Sequence, residues 1–404
     1  MKRMILSLAF GLGSISTFAQ VQKVTVSTGA GYANEVFYSM ANGVVKSEPV
    51  NNWHLAFTTN MMSASIRINE NLGLELYKVA TDTASYFNLD TTSKLVTPLY
   101  NQEWSWEEGA LNANATGHPD YGWGIYNQVT HGVTGDVTFV LKIDPTTYKK
   151  FFVRRMAADG SFVVRISNLD GSSESIFNFN KTNYSSKLFV YYDVLLDQLV
   201  DREPAKSSWD LTFTRYSTTV QSTQYPVSGI LQNPAVNVAE IRGVDTTMAS
   251  AEIDDFSDTT DVIGWDFKNF NMASFQWEVS DSLTYYVEGQ DGNIYRMVFT
   301  GFEGTSTGNY FFNQSQVSTV GLNEATWVKD LFVYPNPAKE NLHIRVTEVN
   351  GLSAELFTLT GQAVRRLELS QGENTMITSD LAQGIYILRI TEGRNIFTQR
   401  IIKQ

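Results

Sequence analysis

Short runs of alternating apolar and polar residues, closed by turn residues, recur along most of the chain, and helical periodicity is nearly absent. Trp53-His54-Leu55-Ala56-Phe57 sets Trp, Leu and Phe on one face of a strand. Ser161–Ile166 follows the turn pair Asp159-Gly160, and Asn293–Phe299 follows Asp291-Gly292. Asp-Gly pairs tolerate positive φ and suit tight hairpins. Aromatic residues, at 13% of the chain, add to the strand preference. The expectation is an all-β protein, and 404 residues suit two or three domains rather than one small module.

The chain contains no cysteine, which excludes disulfides, cysteine-ligated zinc or iron–sulfur sites, and cysteine nucleophiles. It also leaves no thiol for lipoprotein acylation. A formal charge of −12 repels phosphate backbones and argues against a nucleic-acid partner. Residues 1–19 read as a secretory signal: Lys2 and Arg3 open it, Met4–Phe10 is apolar, and Ser16, Thr17 and Ala19 supply small residues for cleavage. No later stretch is long and apolar enough for a membrane-spanning helix, so no integral membrane segment is expected.

Several segments occur twice. Trp53–Phe57 matches Trp209-Asp210-Leu211-Thr212-Phe213, apolar residues in register. Upstream, Val36-Phe37-Tyr38 and Glu48-Pro49 match Leu188-Phe189-Val190-Tyr191 and Glu203-Pro204. Gly122-Trp123 pairs with Gly264-Trp265, and Phe151-Phe152-Val153 with Tyr285-Tyr286-Val287. The pattern predicts tandem antiparallel β domains at 20–180 and 181–316, with Trp53 and Trp209 as equivalent anchors of separate cores. His54, matching Asp210, is expected on a solvated face. A polar linker over 317–330 then leads to a third strand-rich unit, 331–404, of a size for a small immunoglobulin-like β-sandwich.

That last unit resembles the type A C-terminal sorting domain of the type IX secretion system. The resemblance rests on Tyr334-Pro335-Asn336-Pro337, Leu359-Thr360-Gly361-Gln362, Leu381–Tyr386 and the terminal Ile401-Ile402-Lys403. It implies passage through the periplasm and outer membrane, with the translocon and its sortase as partners, and delivery to the cell surface or the medium.

The body resembles the HmuY family of secreted haem-binding proteins. Trp209–Tyr216 looks like that family's tryptophan–aspartate strand, and Tyr285–Phe299 like its later hairpin. The resemblance implies haem held between loops by His or Met side chains. Here the second repeat contains no His, so its soft candidates are Met248 and Met272, while the first offers His118 and His131. His131 and Met272 follow Gly122 and Gly264 at nearly matching distances. An exposed His and a core Met are the ordinary alternatives.

Other motifs resolve to simpler readings. Gly304-Thr305-Ser306-Thr307-Gly308 fits the Gly-x-Ser-x-Gly string but lies between strands, so a hairpin loop is expected rather than a nucleophile elbow. The acidic run Asp254–Asp261 lacks calcium-loop spacing and reads as a solvated loop. Trp104-Ser105-Trp106 would set two indoles on one side of a strand, as a core element or a stacking platform. The sequence therefore points to a secreted, non-enzymatic ligand-binding protein with haem as the named candidate. The alternative is a surface adhesion or structural protein that binds polymer or protein.

Overall fold

The computed structural model describes residues 21–89, 94–251, 255–317, 331–347, 351–358, 361–392 and 395–403. The expected signal, and the expected linker beyond residue 317, lie outside them. Among the described residues the regular elements are β-strands and short 3-10 turns, so the protein is all-β. It divides into two compact units, Met1–Gln316 and Val317–Gln404.

The first unit holds two hydrophobic cores. One gathers Phe57, Trp123, Phe139, Phe151, Phe162 and Tyr192 beneath a seven-stranded sheet that includes Tyr148–Met156 and Ser161–Asn168. The other gathers Val26, Tyr38, Phe213, Tyr285, Phe299 and Tyr310 against a six-stranded sheet. The N-terminal strands belong to this second core. Gln22–Ser27 pairs antiparallel with Asn309–Val317, Gln22 opposite Gln314. Asn34–Ser39 pairs with Leu211–Val220, whereas Phe189–Asp193 returns to Leu55–Thr58. The seam between the cores therefore does not fall at 180/181. Sequence likeness identifies equivalent segments, but strand pairing decides which core each one completes.

The two exchanged pairings have the same register. Leu55, Ala56 and Phe57 lie opposite Tyr192, Tyr191 and Val190. Leu211, Thr212 and Phe213 lie opposite Tyr38, Phe37 and Val36. The bends before them are pinned alike. Asn69 Nδ2 donates to Val50 O and Trp53 O at 2.6 and 2.9 Å, and Asn233 Nδ2 donates to Lys206 O and Trp209 O at 2.8 and 3.0 Å.

Two expectations change here. His54 is buried rather than solvated: its Nδ1 accepts from Val194 N at 3.2 Å, as Asp210 Oδ2 accepts from Met40 N at 2.6 Å. Burial holds the imidazole pKa below its usual value, against the raising effect of Asp193. Trp53 and Trp209 are buried, but not in separate cores. Each precedes its strand and turns away from the Leu55/Phe57 or Leu211/Phe213 face. Their rings meet Tyr191 and Phe37 edge-on at 5.0 and 5.2 Å, again at equivalent positions.

The second unit is a sandwich of two antiparallel sheets, one of three strands and one of four. Leu342, Ile344, Ala354, Leu356, Leu388, Ile390 and Ile401 alternate inward to form its core. The sorting-type motifs hold this sandwich together. Asn336 Oδ1 accepts from Ile402 N at 2.8 Å, tying the Tyr-Pro-Asn-Pro segment to the last strand. Gly361, at φ +82°, turns the chain between Ser353–Thr358 and Ala363–Glu368; Leu359 and Thr360 lie outside the described residues. Tyr386 is buried, with its hydroxyl donating to Ala382 O at 2.9 Å.

Candidate functional site

Of the four residues singled out as ligands, the fold brings two together around a tyrosine. The strands Gly124–Asn127 and Gly132–Gly135 form a hairpin in which Tyr126 faces Val133. Its turn is set by Asn127, whose Oδ1 accepts from Val129 N and Thr130 N at 2.8 and 3.0 Å. His131 closes that turn with φ at +52°, a region non-glycine residues seldom occupy. Gly135 has to be glycine, because a Cβ there would lie 1.7 Å from Val153 O on the neighbouring strand.

This turn carries the His131 ring to Tyr126, whose hydroxyl lies 2.9 Å from His131 Nδ1. With the imidazole proton on Nε2, the phenol donates to Nδ1. From the other side, Tyr126 N donates to Pro119 O at 2.8 Å and draws the 118–120 loop against the strand. The His118 ring then lies 5.2 Å from the Tyr126 ring, centroid to centroid. Both histidines are exposed and Tyr126 is half-buried. Ile125 and Val129, 40% and 90% exposed, add apolar surface in the same hairpin.

Met248 and Met272 are on elements of the second core instead. Met248 follows the strand Asn237–Arg242, and Met272 sits in the turn between Lys268–Asn271 and Gln276–Val279. They are 75% and 72% exposed, so neither is a core methionine. Tyr126 is the residue that sequence reasoning passed over. The available signal was its place between two histidines on an alternating strand.

A tyrosine oxygen is a hard donor suited to ferric iron and found as an axial haem ligand, and imidazole nitrogen is a further donor type for iron. Among the described residues no three His, Asp or Glu side chains cluster as a metal site by themselves. The tyrosine is what gives this cluster ligand character.

The remaining sequence motifs occupy structural positions. Gly304–Ser306 is a 3-10 turn between the neighbouring strands Ile294–Phe302 and Asn309–Val317. Asp254 lies outside the described residues, and burial raises the carboxyl pKa of Asp261. Residues 104–106 form no strand: Trp106 donates its indole N–H to Gln232 O at 2.8 Å while Trp104 stays half-exposed. Two buried lysines donate to backbone carbonyls. Lys181 Nζ donates to Asn60 O and Ser63 O at 2.6 and 2.8 Å, and Lys268 Nζ to Ser228 O and Trp265 O at 2.5 and 3.1 Å. Burial pushes their pKa values down to about 8 and about 7.

Comparison with known proteins identifies the second unit. Residues 332–404 match the secretion system C-terminal sorting domain family. The tail is a type IX sorting domain, so the chain is exported through the outer membrane to the cell surface or beyond and engages the type IX machinery. No helix among the described residues is long and apolar enough to cross a membrane. None of the curated proteins matches the chain. One solved structure with a likeness is PorZ, described as an essential bacterial surface component of the type IX secretion system of Porphyromonas gingivalis. That likeness has 12% identity and a TM-score of 0.18; it covers 69% of this chain, which spans 44% of that one. Another is a biofilm-associated protein BSP domain, at 9% identity and a TM-score of 0.16, covering 100% of this chain and 84% of the other. Both likenesses are too distant to bear on the fold or the function.

Proposed function

We propose that this chain is a surface-delivered, non-enzymatic binding protein whose ligand is ferric haem, held at the face carrying His118, Tyr126 and His131. The hydrogen bond between Tyr126 and His131 supports this reading most directly, because it prepares an oxygen donor at an exposed, partly apolar hairpin. Tyr126 would hold the iron through its phenol oxygen, with His131 placed to take up the released proton, and Ile125 and Val129 would supply apolar contact to the ligand. Met248 and Met272 take no part. The translocon and a sortase that removes the tail are the partners of the sorting domain.

Haem titration of the purified chain tests the proposal. A saturable absorbance change is expected, lost in Tyr126→Phe, weakened in His131→Ala and unaltered in Met248→Ala and Met272→Ala. Absence of binding by the wild type, or wild-type spectra in Tyr126→Phe, would refute it. A second reading, adhesion to a polymer or protein, is favoured by the Lys268–Val279 hairpin. Trp277 anchors it against Phe302 at 5.1 Å, while Met272 and Phe275 stand 72% and 73% exposed at its tip. Replacing Met272 and Phe275 with Ser would abolish such adhesion and leave haem titration unchanged.

A further inference from the structure

Away from the Tyr126 face, the two equivalent strand pairs of the first unit enclose a cavity of about 50 Å³. Phe37 and Thr212, opposite each other in one sheet, line it together with Ala56 and Tyr191, the matching pair in the other. Trp53 and Trp209 line it too, one from each copy. Both indole N–H groups and the Thr212 hydroxyl are buried and have no hydrogen-bond partner among the described residues. These side chains are 8%, 1% and 1% exposed. Buried donors left without an acceptor are rare and costly, so two at equivalent positions around one cavity call for an occupant that accepts.

The charged groups around the cavity point the same way. Arg67 stacks over Trp106 at 5.1 Å, and both residues line the cavity. Its guanidinium donates to Ser105 O and Gln102 O at 2.8 and 3.1 Å, and among the described residues no carboxylate lies within 4.0 Å of it. Two carboxylates also line the cavity, but both are committed. Glu35 is paired with Arg202. Glu203 accepts from Leu188 N and Phe189 N at 2.9 and 3.0 Å, and burial pushes its pKa up to about 7. What remains is a set of unpartnered donors beside Arg67, whose burial the charges of Glu70, Glu107 and Glu103 offset only in part.

We infer that this cavity is a binding site for a small monovalent anion of three or four non-hydrogen atoms, a short carboxylate such as formate or acetate. One water requires about 10–15 Å³ on this measure, so the volume fits an occupant of that size and rejects a sugar or a macrocycle. The two indoles and Thr212 bind the anion's oxygens, Arg67 supplies positive charge, and the surrounding rings narrow the opening to solvent.

The test titrates sodium acetate into the full chain in carboxylate-free buffer, against sodium chloride at matched ionic strength. Tryptophan fluorescence and the thermal midpoint are the readouts. A saturable fluorescence change is expected with acetate alone, with the midpoint rising as its concentration grows. Thr212→Val and Trp209→Phe should each weaken binding about tenfold, because each removes one hydrogen bond to a charged group. Ala56→Val should fill the cavity and abolish binding while far-UV circular dichroism stays unchanged, which covers the case in which a polar variant misfolds. The inference is overturned by equal responses to acetate and chloride, by wild-type affinity in all three variants, or by a crystal structure grown in acetate with only water in the cavity. Haem titration is unaffected by any of these variants, so the two proposals fail separately.

Discussion

Replacing Arg202 with Met should destabilise the first unit by about 3–5 kcal/mol, the usual cost of stranding one member of a buried ion pair. Arg202 is fully buried, and its Nη1 pairs with Glu35, itself 8% exposed, on the N-terminal strand Asn34–Ser39. Nε donates to Asn52 Oδ1 at 3.0 Å and Nη2 to Pro49 O at 3.2 Å. The guanidinium also stacks over Trp53 and Tyr191 at 5.5 and 5.1 Å. Burial, the largest single influence, would lower the Arg202 pKa; the charge and hydrogen bond of Glu35, together with Tyr191 and Glu48, outweigh it and the net direction is upward. Arg202→Met leaves the Glu35 carboxylate desolvated with no cation, and Glu35→Gln leaves the guanidinium in the same position. The double variant removes both charges, so it should cost less than the two singles together, with a coupling of about 2–3 kcal/mol. Urea unfolding followed by fluorescence reads the loss, since Trp53 lies against Arg202, and circular dichroism checks the fold. A cost below about 1 kcal/mol for Arg202→Met, or strict additivity in the double variant, would show that solvent screens the pair and that it does not latch the N-terminal strand.

Two further outcomes follow from the same geometry. Chains lacking residues 331–404 should accumulate in the periplasm, and cell fractionation showing normal surface delivery would contradict the role given to the tail. Burial pushes the carboxyls of Glu70 and Glu203 up to about 7 from 4.5, so between those values the folded state holds protons the unfolded chain has released. Stability from these groups is thus full below about pH 4.5 and lost as pH rises towards 7; Glu203→Gln should flatten that slope in urea unfolding at pH 5 and pH 8, and an unchanged slope would count against it.

The strands were legible because alternation is local. Leu211-Thr212-Phe213 and Asp291-Gly292 declare a strand and a turn by themselves, and both are found in the fold, although Trp209 lies just before the strand. Partner choice is not local. Nothing within Asn34–Ser39 says that it will complete the sheet of a segment near residue 212 rather than its own neighbour, Leu55–Thr58. Short patterns also mislead where tertiary contacts win. Trp104-Ser105-Trp106 alternates, yet Trp106 turns inward to bond Gln232 O. His54 looked solvated because its partners, Asp193 and Val194, come from a distant segment. The proposed ligand face was half legible for the same reason: His118 and His131 stand out as rare residues, whereas the place of Tyr126 between them depends on hairpin register and on the positive-φ turn at His131. Met248 and Met272, chosen for their sulfur, are on exposed loops that sequence likeness could not position.

The crossed strand pairing makes the first unit more than two domains in a row. Phe189–Asp193, the counterpart of Asn34–Ser39, completes the sheet containing Leu55–Thr58, while Asn34–Ser39 completes the sheet containing Leu211–Val220. Arg202 and Glu35 join the segments at the crossing, and Trp53 and Trp209 meet at the cavity between the sheets. A chain ending after the first core would leave Asn34–Ser39 without its long-range partner and Gln22–Ser27 without Asn309–Val317. The second core therefore closes only when residue 317 is present, because the first strand of the body pairs with the last, Asn309–Val317. Such closure imposes a large loop entropy before its contacts form, and offsets it afterwards by covering the open edge of Asn309–Val317. For a protein exported through the outer membrane, this arrangement commits the body to one closed fold that ends ahead of the sorting domain in the chain.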